Sequence, residues 1–585
     1  MGTISDKLMR IINTKEDIRQ ALISKGYDVP TSIPFKEYAK MISDLPCRVD
    51  SFPDIEGIVA RYSALGLTNE QMAENPVWKD LTGNGHDLQM KNFAWKEGSG
   101  ISDVYPGALV FDGVDDWAGC DNLPLLPKEK GYSIIALRNW ITRYDATQYK
   151  RPLISNLDTN DEGAFLIEYR KDENVNDVTG SYNSFTDVYI DDNNPITWQT
   201  SSSYNGQIIK KGTSKSTNKL CICKTYFGQL SNYANAAIWE IVILDHDATE
   251  EELTKIKDYF VKTYPWLFPY QAWTVTGKTN EDEDRATIAN ITGNGNDLVL
   301  SNFGFAEGSG YGLYAENYAG GRWVQSTARA DLTCTSHSVN ITSVKVASTQ
   351  LYYQSYPEQP SFTVPSYKIK VYGLKNGQTL SYKQVTSEGQ QIYKISEDGI
   401  YTLPSFPFKA NGDWYGFTLN KVQESCDITI EQIPEYEGYL VTDGVDDKIV
   451  SSVFGMGKDF TIVGDWKFIG NKKSGTGLVK GSSFYIYNTM IGLDLYINSG
   501  SVTNSLDGIK SINAACSDGR VYDRNWNEIL ANTGNVVGSG GMLEVSSSGG
   551  RFDRIAFKNL AIYPRILSKD DCIKAYNYLQ TLKSK

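Results

Sequence analysis

The run DGVDD occurs twice, and it gathers carboxylates at Asp112, Asp115 and Asp116 and again at Asp443, Asp446 and Asp447. Clustered carboxylates suit a hard cation, and Ca2+ takes six to eight oxygens, so these aspartates are the candidate metal ligands. Asp-Gly is equally a hairpin-turn signal, and Asp closes turns with its own side chain. A structural motif therefore stands beside the cation as an explanation. A second repeated line reads LTGNGHDLQMKNFAWKEGSG at 81–100 and ITGNGNDLVLSNFGFAEGSG at 291–310, identical at twelve of twenty positions. A phosphate-cradling dinucleotide loop needs G-x-G-x-x-G between a strand and a helix. Here Leu88 and Leu298 stand where the third glycine belongs, and DLQMKNF and DLVLSNF alternate as strands do. Gly and Asn permit positive φ, which points to a tight turn before a strand.

Glycoside hydrolysis needs two carboxylates across one bond, and no E-x-D-x-x-E run, which would set its acids on one face of a strand, is present; EDED at 281–284 reads as a charged loop. The three histidines, His86, His246 and His337, have no Ser or Cys nucleophile motif beside them, and Asn296 replaces His86 in the second repeat. No catalytic residue is assigned, and the expectation is a protein that is not an enzyme. Aromatic rings are the remaining chemistry, because sugars stack their apolar faces on Trp and Tyr. Trp117, Trp140, Trp198, Trp414 and Trp526 are the candidate platforms, each weighed against an ordinary place in a β core.

The elements that must position these groups are mostly short strands. The chain has 585 residues, 41% hydrophobic and 22% charged, with a net charge of −13. That length supports about three or four domains, and the acidic surface repels phosphate backbones, which argues against nucleic acid. No window reaches the length of a membrane span. The first residues lack an apolar stretch of signal-peptide length, so folding in a cytoplasm is expected. Eight cysteines, scattered apart from Cys221 and Cys223, read as small buried residues.

Runs such as GALVFDG, YSIIAL and AAIWEIVIL, separated by Gly, Asn, Asp and Ser clusters, predict a mainly β chain of sandwiches. Residues 1–45 differ, with helical spacing that is too short for a core of its own. They are expected to attach the chain to a partner or to copies of itself, with 46–57 as a linker. IVILDHDATEEELTKIKDYF (241–260) parallels LAIYPRILSKDDCIKAYNYL (560–579), each a strand leading to a cap, Thr249 or Ser568, and a short amphipathic helix. The GNG turns lie 210 residues apart and the DGVDD turns 331 apart, so the second copy carries about 121 more residues between its motifs. The expected domains are 58–268 for the first copy, 269–316 with 437–585 for the second, and 317–436 for an inserted sandwich.

KDLTGNGHDL and ANITGNGNDL, LVFDGVDD and LVTDGVDD, and LAIYPRILS together resemble the laminin-G-like branch of the concanavalin A-like jelly rolls. The resemblance implies two jelly-roll sandwiches, the second interrupted by an immunoglobulin-like insert. It speaks for fold more than function, since the fold hosts lectins, hydrolases and spacers. The stretch SDKLMRIINTKEDIRQALISKGYDVPTSIPFKEYAKMISDL is similar to leaders of tail and appendage proteins of tailed bacteriophages of gut bacteria, the crAss-like phages among them. That resemblance implies a virion structural protein, a fibre or tail-associated appendage. Its N-terminus would anchor to other virion proteins, it would form a homo-oligomer, and its lectin-like domains would touch host surface polysaccharide. No cofactor is implied beyond the Ca2+ that the aspartates would hold. A lectin-like protein with no virion role and a polysaccharide depolymerase stand as alternatives.

Overall fold

Alternation of buried and exposed residues builds most of this chain into antiparallel sheets, seen in a computed structural model. The structure describes residues 52–126, 131–142, 150–158, 217–228, 232–306, 308–320, 330–344, 363–375, 377–419, 425–455, 457–469, 512–530 and 554–584, with short strands and single positions between them. The expected helical segment 1–45 lies almost wholly outside these residues; of the expected linker 46–57, residues 52–57 are described, and there Ile55 is buried in the core between the sandwiches and Phe52 packs on Tyr259.

The protein is mainly β, as its sequence pattern predicts. Six large sheets face one another in pairs. In the first sandwich a six-stranded sheet centred on Ser133–Thr142 and Asn235–Leu244 covers a seven-stranded sheet that contains Leu88–Lys91 and Trp117–Cys120. In the second, an eight-stranded sheet with Thr461–Phe468 and Ile555–Tyr563 at its centre covers another of eight. Two five-stranded sheets, built from strands between 323 and 433, form a smaller sandwich whose core includes Tyr318, Trp323, Tyr382 and Phe417. Gln432 ties the root of this smaller sandwich, because its amide oxygen accepts from the backbone of Ala315 and Glu316, each at 3.0 Å.

The central strands are apolar on both faces. Ile134, Ala136 and Trp140 point into the first sandwich, while Ile135 and Leu137 point outward into a second core. That second core joins the two large sandwiches. Helix α1 (Asn69–Glu74) is peripheral, whereas α2 (Glu250–Thr263) and α3 (Lys569–Thr581) lie over the outer faces. Both long helices start where the sequence places their caps. Glu252 N donates to Thr249 Oγ1 at 3.3 Å and Thr249 N returns a bond to Glu252 Oε2 at 2.8 Å, a reciprocal capping box. Asp571 N donates to Ser568 Oγ at 3.1 Å.

Trp239, Phe260, Tyr264 and Trp266 from one sandwich pack with Val463, Tyr563, Tyr578 and Leu579 from the other. Tyr563 donates its hydroxyl to Trp266 O at 2.9 Å, and Arg565 Nη1 donates to Val261 O at 2.7 Å, the open carbonyl end of α2. Each fully buried side chain of this size contributes roughly 1.5–3 kcal/mol, so the shared core holds the sandwiches together far more firmly than a linker would. Among the described residues no helix is long and apolar enough to cross a membrane.

Candidate functional site

The two repeated loops are built alike. Gly83, Gly85, Gly293 and Gly295 adopt φ of +82°, +82°, +78° and +70°. Asn84 Nδ2 donates to Val59 O at 3.0 Å, and Asn294 Nδ2 donates to Tyr270 O at 2.7 Å. Asp87 and Asp297 accept from the backbone of Asp80 and Asn290, at 2.9 and 2.8 Å. These turns close on themselves.

The DGVDD loops do the same. Asp112 Oδ1 accepts from the backbone of Val114, Asp115 and Asp116 at 2.8, 3.2 and 3.3 Å, and Asp116 Oδ2 accepts from Asp112 N at 3.0 Å. In the second copy Asp443 Oδ1 accepts from Val445 N at 2.7 Å and Asp447 Oδ2 from Asp443 N at 2.7 Å. The repeated Asn of each GNG line latches the loop: Asn92 Nδ2 donates to Asp115 O and Asn302 Nδ2 to Asp446 O, both at 3.0 Å. The two repeated motifs therefore recur together because they hold each other. Burial pushes the Asp116 carboxyl up to about 6 and that of Asp447 up to about 7, with the neighbouring aspartates adding to the effect.

One oxygen from each of the three carboxylates lies within 4.8 Å of the others in each loop. A Ca2+ ion would find three such ligands in a set whose Asp112 or Asp443 oxygen already serves the backbone, fewer than the six to eight oxygens it takes. No step is assigned to a cation here, since turn closure accounts for the motif.

The candidate tryptophans separate. Trp140 is a core residue at 4% exposure, which corrects its reading as a platform: both faces of its strand are buried, so alternation there does not mark a surface. Trp117 is half-buried, with the Lys224 ammonium 4.1 Å from its ring centroid and Phe227 against its edge. Trp414 begins Trp414–Leu419 in the smaller sandwich and is half-buried. Trp198 lies on Ile196–Thr200, at the edge of the first sandwich's six-stranded sheet, and its side chain is outside the described residues.

Trp526 stands in a different setting. Asp523 accepts from the backbone of Asn525 and Asn527, both at 2.8 Å, and closes a loop that carries Arg524 and Trp526. Trp526 has φ +61°, and Tyr436, on the opposite strand Glu435–Val441, has φ +58°. Bulky residues pay on the order of 1 kcal/mol for this conformation, which Trp95 and Phe305 also adopt beside the repeated turns. Between them the outer face of the eight-stranded sheet carries Asp465 and Lys467, flanked by Tyr439 and Lys558, with Tyr576 descending from α3.

Asp465 is the floor of this cluster, only 5% exposed. It accepts from Tyr439 Oη at 2.8 Å and from Arg524 Nη2 at 3.2 Å, and the Tyr576 hydroxyl also reaches it. Burial and that carboxylate push the Tyr576 phenol up to about 12 and the Tyr439 phenol up as well. The Lys467 ammonium lies 4.4 Å from the Tyr439 ring centroid and 5.9 Å from that of Tyr436. Burial, then the charge of Arg524, hold its pKa below the ordinary lysine value against the opposing pull of Asp465, and Lys558 adds to the lowering. Trp526 meets the Tyr576 ring edge-on at 5.6 Å.

The first copy places its buried carboxylate on the facing strand instead: Glu240 accepts from Arg61 Nε at 2.6 Å and from the Tyr264 hydroxyl at 2.7 Å. Ser133 pairs with Leu244, and Thr461 pairs with Tyr563; four residues further on, Leu137 opposite Glu240 corresponds to Asp465 opposite Asn559. At the Asp465 position the first copy has a fully buried leucine, and at the Lys467 position it has Asn139, 3% exposed. Of the cluster, sequence reasoning reached Trp526 alone. Tyr436, Tyr439, Asp465, Lys467, Arg524 and Tyr576 were missed, although setting IALRNW beside VGDWKF shows Asp465 and Lys467 where the first copy has Leu137 and Asn139.

No family model and no curated protein matches the sequence. Among solved structures, a Trypanosoma rangeli sialidase in complex with sialic acid resembles the chain at 10% identity, over 50% of this chain and 68% of its own, with a TM-score of 0.20. A tandem of carbohydrate-binding modules, CBM22-1 and CBM22-2 of Paenibacillus barcinonensis Xyn10C, is 9% identical over 44% of this chain and 98% of its own, with a TM-score of 0.13. The expectation that the chain is not an enzyme is corrected at this point, because the solved structures it resembles include enzymes, and that exclusion is withdrawn. Likeness at these TM-scores assigns neither an activity nor a ligand.

Proposed function

We propose that the protein binds glycan at the Tyr439–Asp465–Tyr576–Trp526 cluster of the second sandwich. The observation that carries this reading is Asp465, a nearly buried carboxylate ringed by Tyr439, Tyr576 and Arg524 on a face that the first copy seals with Leu137. Sugars offer what such a cluster takes. Their C–H faces stack on aromatic rings, and their hydroxyls form charge-assisted bonds with a carboxylate and a guanidinium. Trp526 packs edge-on against Tyr576, and the Tyr436 ring lies 5.9 Å from the Lys467 ammonium.

The test is Asp465→Leu, which installs the residue that the first copy carries. Affinity electrophoresis of the full chain through polysaccharide gels is expected to show about tenfold weaker retention, a loss of roughly 1.4 kcal/mol; the melting temperature is expected to fall because Tyr439, Tyr576 and Arg524 lose their acceptor, so circular dichroism checks that the variant is folded under the gel conditions. Equal retention of variant and wild type would remove the site from the account.

The sequence resemblances support a finer reading. Two laminin-G-like jelly rolls, at 58–268 and at 269–316 with 437–585, carry an immunoglobulin-like insert at 317–436. Residues 1–45 anchor the chain as a homo-oligomeric appendage of a phage virion, with the glycan site facing host polysaccharide. What supports this is the likeness of the leader to phage appendage leaders and of the LVFDGVDD, LVTDGVDD and LAIYPRILS lines to that jelly-roll branch. Electron microscopy of virions with a labelled C-terminus tests it, and unlabelled particles would refute it.

A further inference from the structure

We infer that the cluster selects a sugar bearing an oxyanion, a carboxylate or sulfate substituent, and that Lys467 is the residue that reads the charge. The inference rests on the glycan reading and adds a ligand class to it. Three cations, Lys467, Arg524 and Lys558, influence this patch on a chain whose net charge is −13. Asp465 is paired with Arg524 at 3.2 Å. Among the described residues no carboxylate lies within ion-pair distance of Lys467, whose ammonium instead rests over the rings of Tyr439 and Tyr436.

An ammonium held over aromatic faces beside two further cations, with Asp465 outside ion-pair distance and already paired with Arg524, sits where an incoming oxyanion gains most. The rings dry the site, so the charge is screened less than at an open surface. Asn139 occupies the place of this lysine in the first sandwich. Glu435 is hydrogen-bonded to Tyr436.

The probes are matched pairs: polygalacturonate against its carboxyl-reduced form, and dextran sulfate against dextran. Wild-type full-length protein is expected to be retained about tenfold more strongly by the charged member of at least one pair, as one charge-assisted bond implies. The pair that shows the difference tells carboxylate from sulfate. Lys467→Met keeps the stem over the rings and is expected to erase the difference, while Lys467→Arg keeps it. Equal retention of charged and neutral members, or a difference that survives Lys467→Met, overturns the inference. If neutral polymers are retained equally and Asp465→Leu abolishes that retention, the glycan reading stands and only charge selection falls. If no polysaccharide is retained, both fall.

Discussion

Asp116 and Asp447 should make the protein less stable as pH rises from about 4 to 8. Their carboxyls sit up to about 6 and 7 in the fold, against an ordinary value of 3.8. In that window the folded chain holds protons that the unfolded chain has released, so stability falls with rising pH. The favourable contribution is complete below the unfolded value and is lost as pH climbs through 6 and 7. Shifts of this size convert to about 3 kcal/mol for Asp116 and about 4 kcal/mol for Asp447 as upper bounds. Asp116→Asn and Asp447→Asn keep an oxygen for the backbone bonds from Asp112 and Asp443 while removing the buried charge. Each is expected to stabilise the protein at pH 8 by roughly 1–3 kcal/mol, a few degrees of melting temperature, and to leave it unchanged or slightly weaker at pH 4. Thermal melts of both single variants and the double at the two pH values provide the assay. A variant effect that is the same at pH 4 and pH 8 would refute the burial account of these loops.

Three further outcomes follow from packing. Thr249→Ala removes the hydroxyl of the α2 capping box and should cost about 1 kcal/mol in urea unfolding. Trp239→Ala empties the core shared by the sandwiches; a cost of about 3–5 kcal/mol is expected, with proteolysis newly admitted near residue 268. Gly113→Ala should lower the melting temperature by several degrees, because φ is +77° and the added Cβ would meet Asn235 N at 2.9 Å; an unchanged melt would mean that the loop can shift.

Much of the fold was legible in sequence because its signals are local. Short alternating runs mark strands, Thr249 and Ser568 mark helix starts, and the glycines of GNG mark a left-handed turn. The site was not legible, because its members come from Glu435–Val441, Thr461–Phe468, the loop after Val521–Asp523 and α3, which only sheet order brings together. Trp140 misled because its strand is covered on both faces by cores that the linear pattern does not reveal. The Asp clusters looked like ligand chemistry because their partners are backbone amides, which every residue but proline carries.

The central claim is that ligand sits between Trp526, Tyr439 and Lys467. A structure of the full-length protein with the tightest-binding acidic oligosaccharide from a glycan array tests it most directly. The account predicts a sugar ring against Trp526 or Tyr439, a hydroxyl on Asp465 and the oxyanion on Lys467. Sugar density on the first sandwich or on the smaller one, with this face empty, would contradict it.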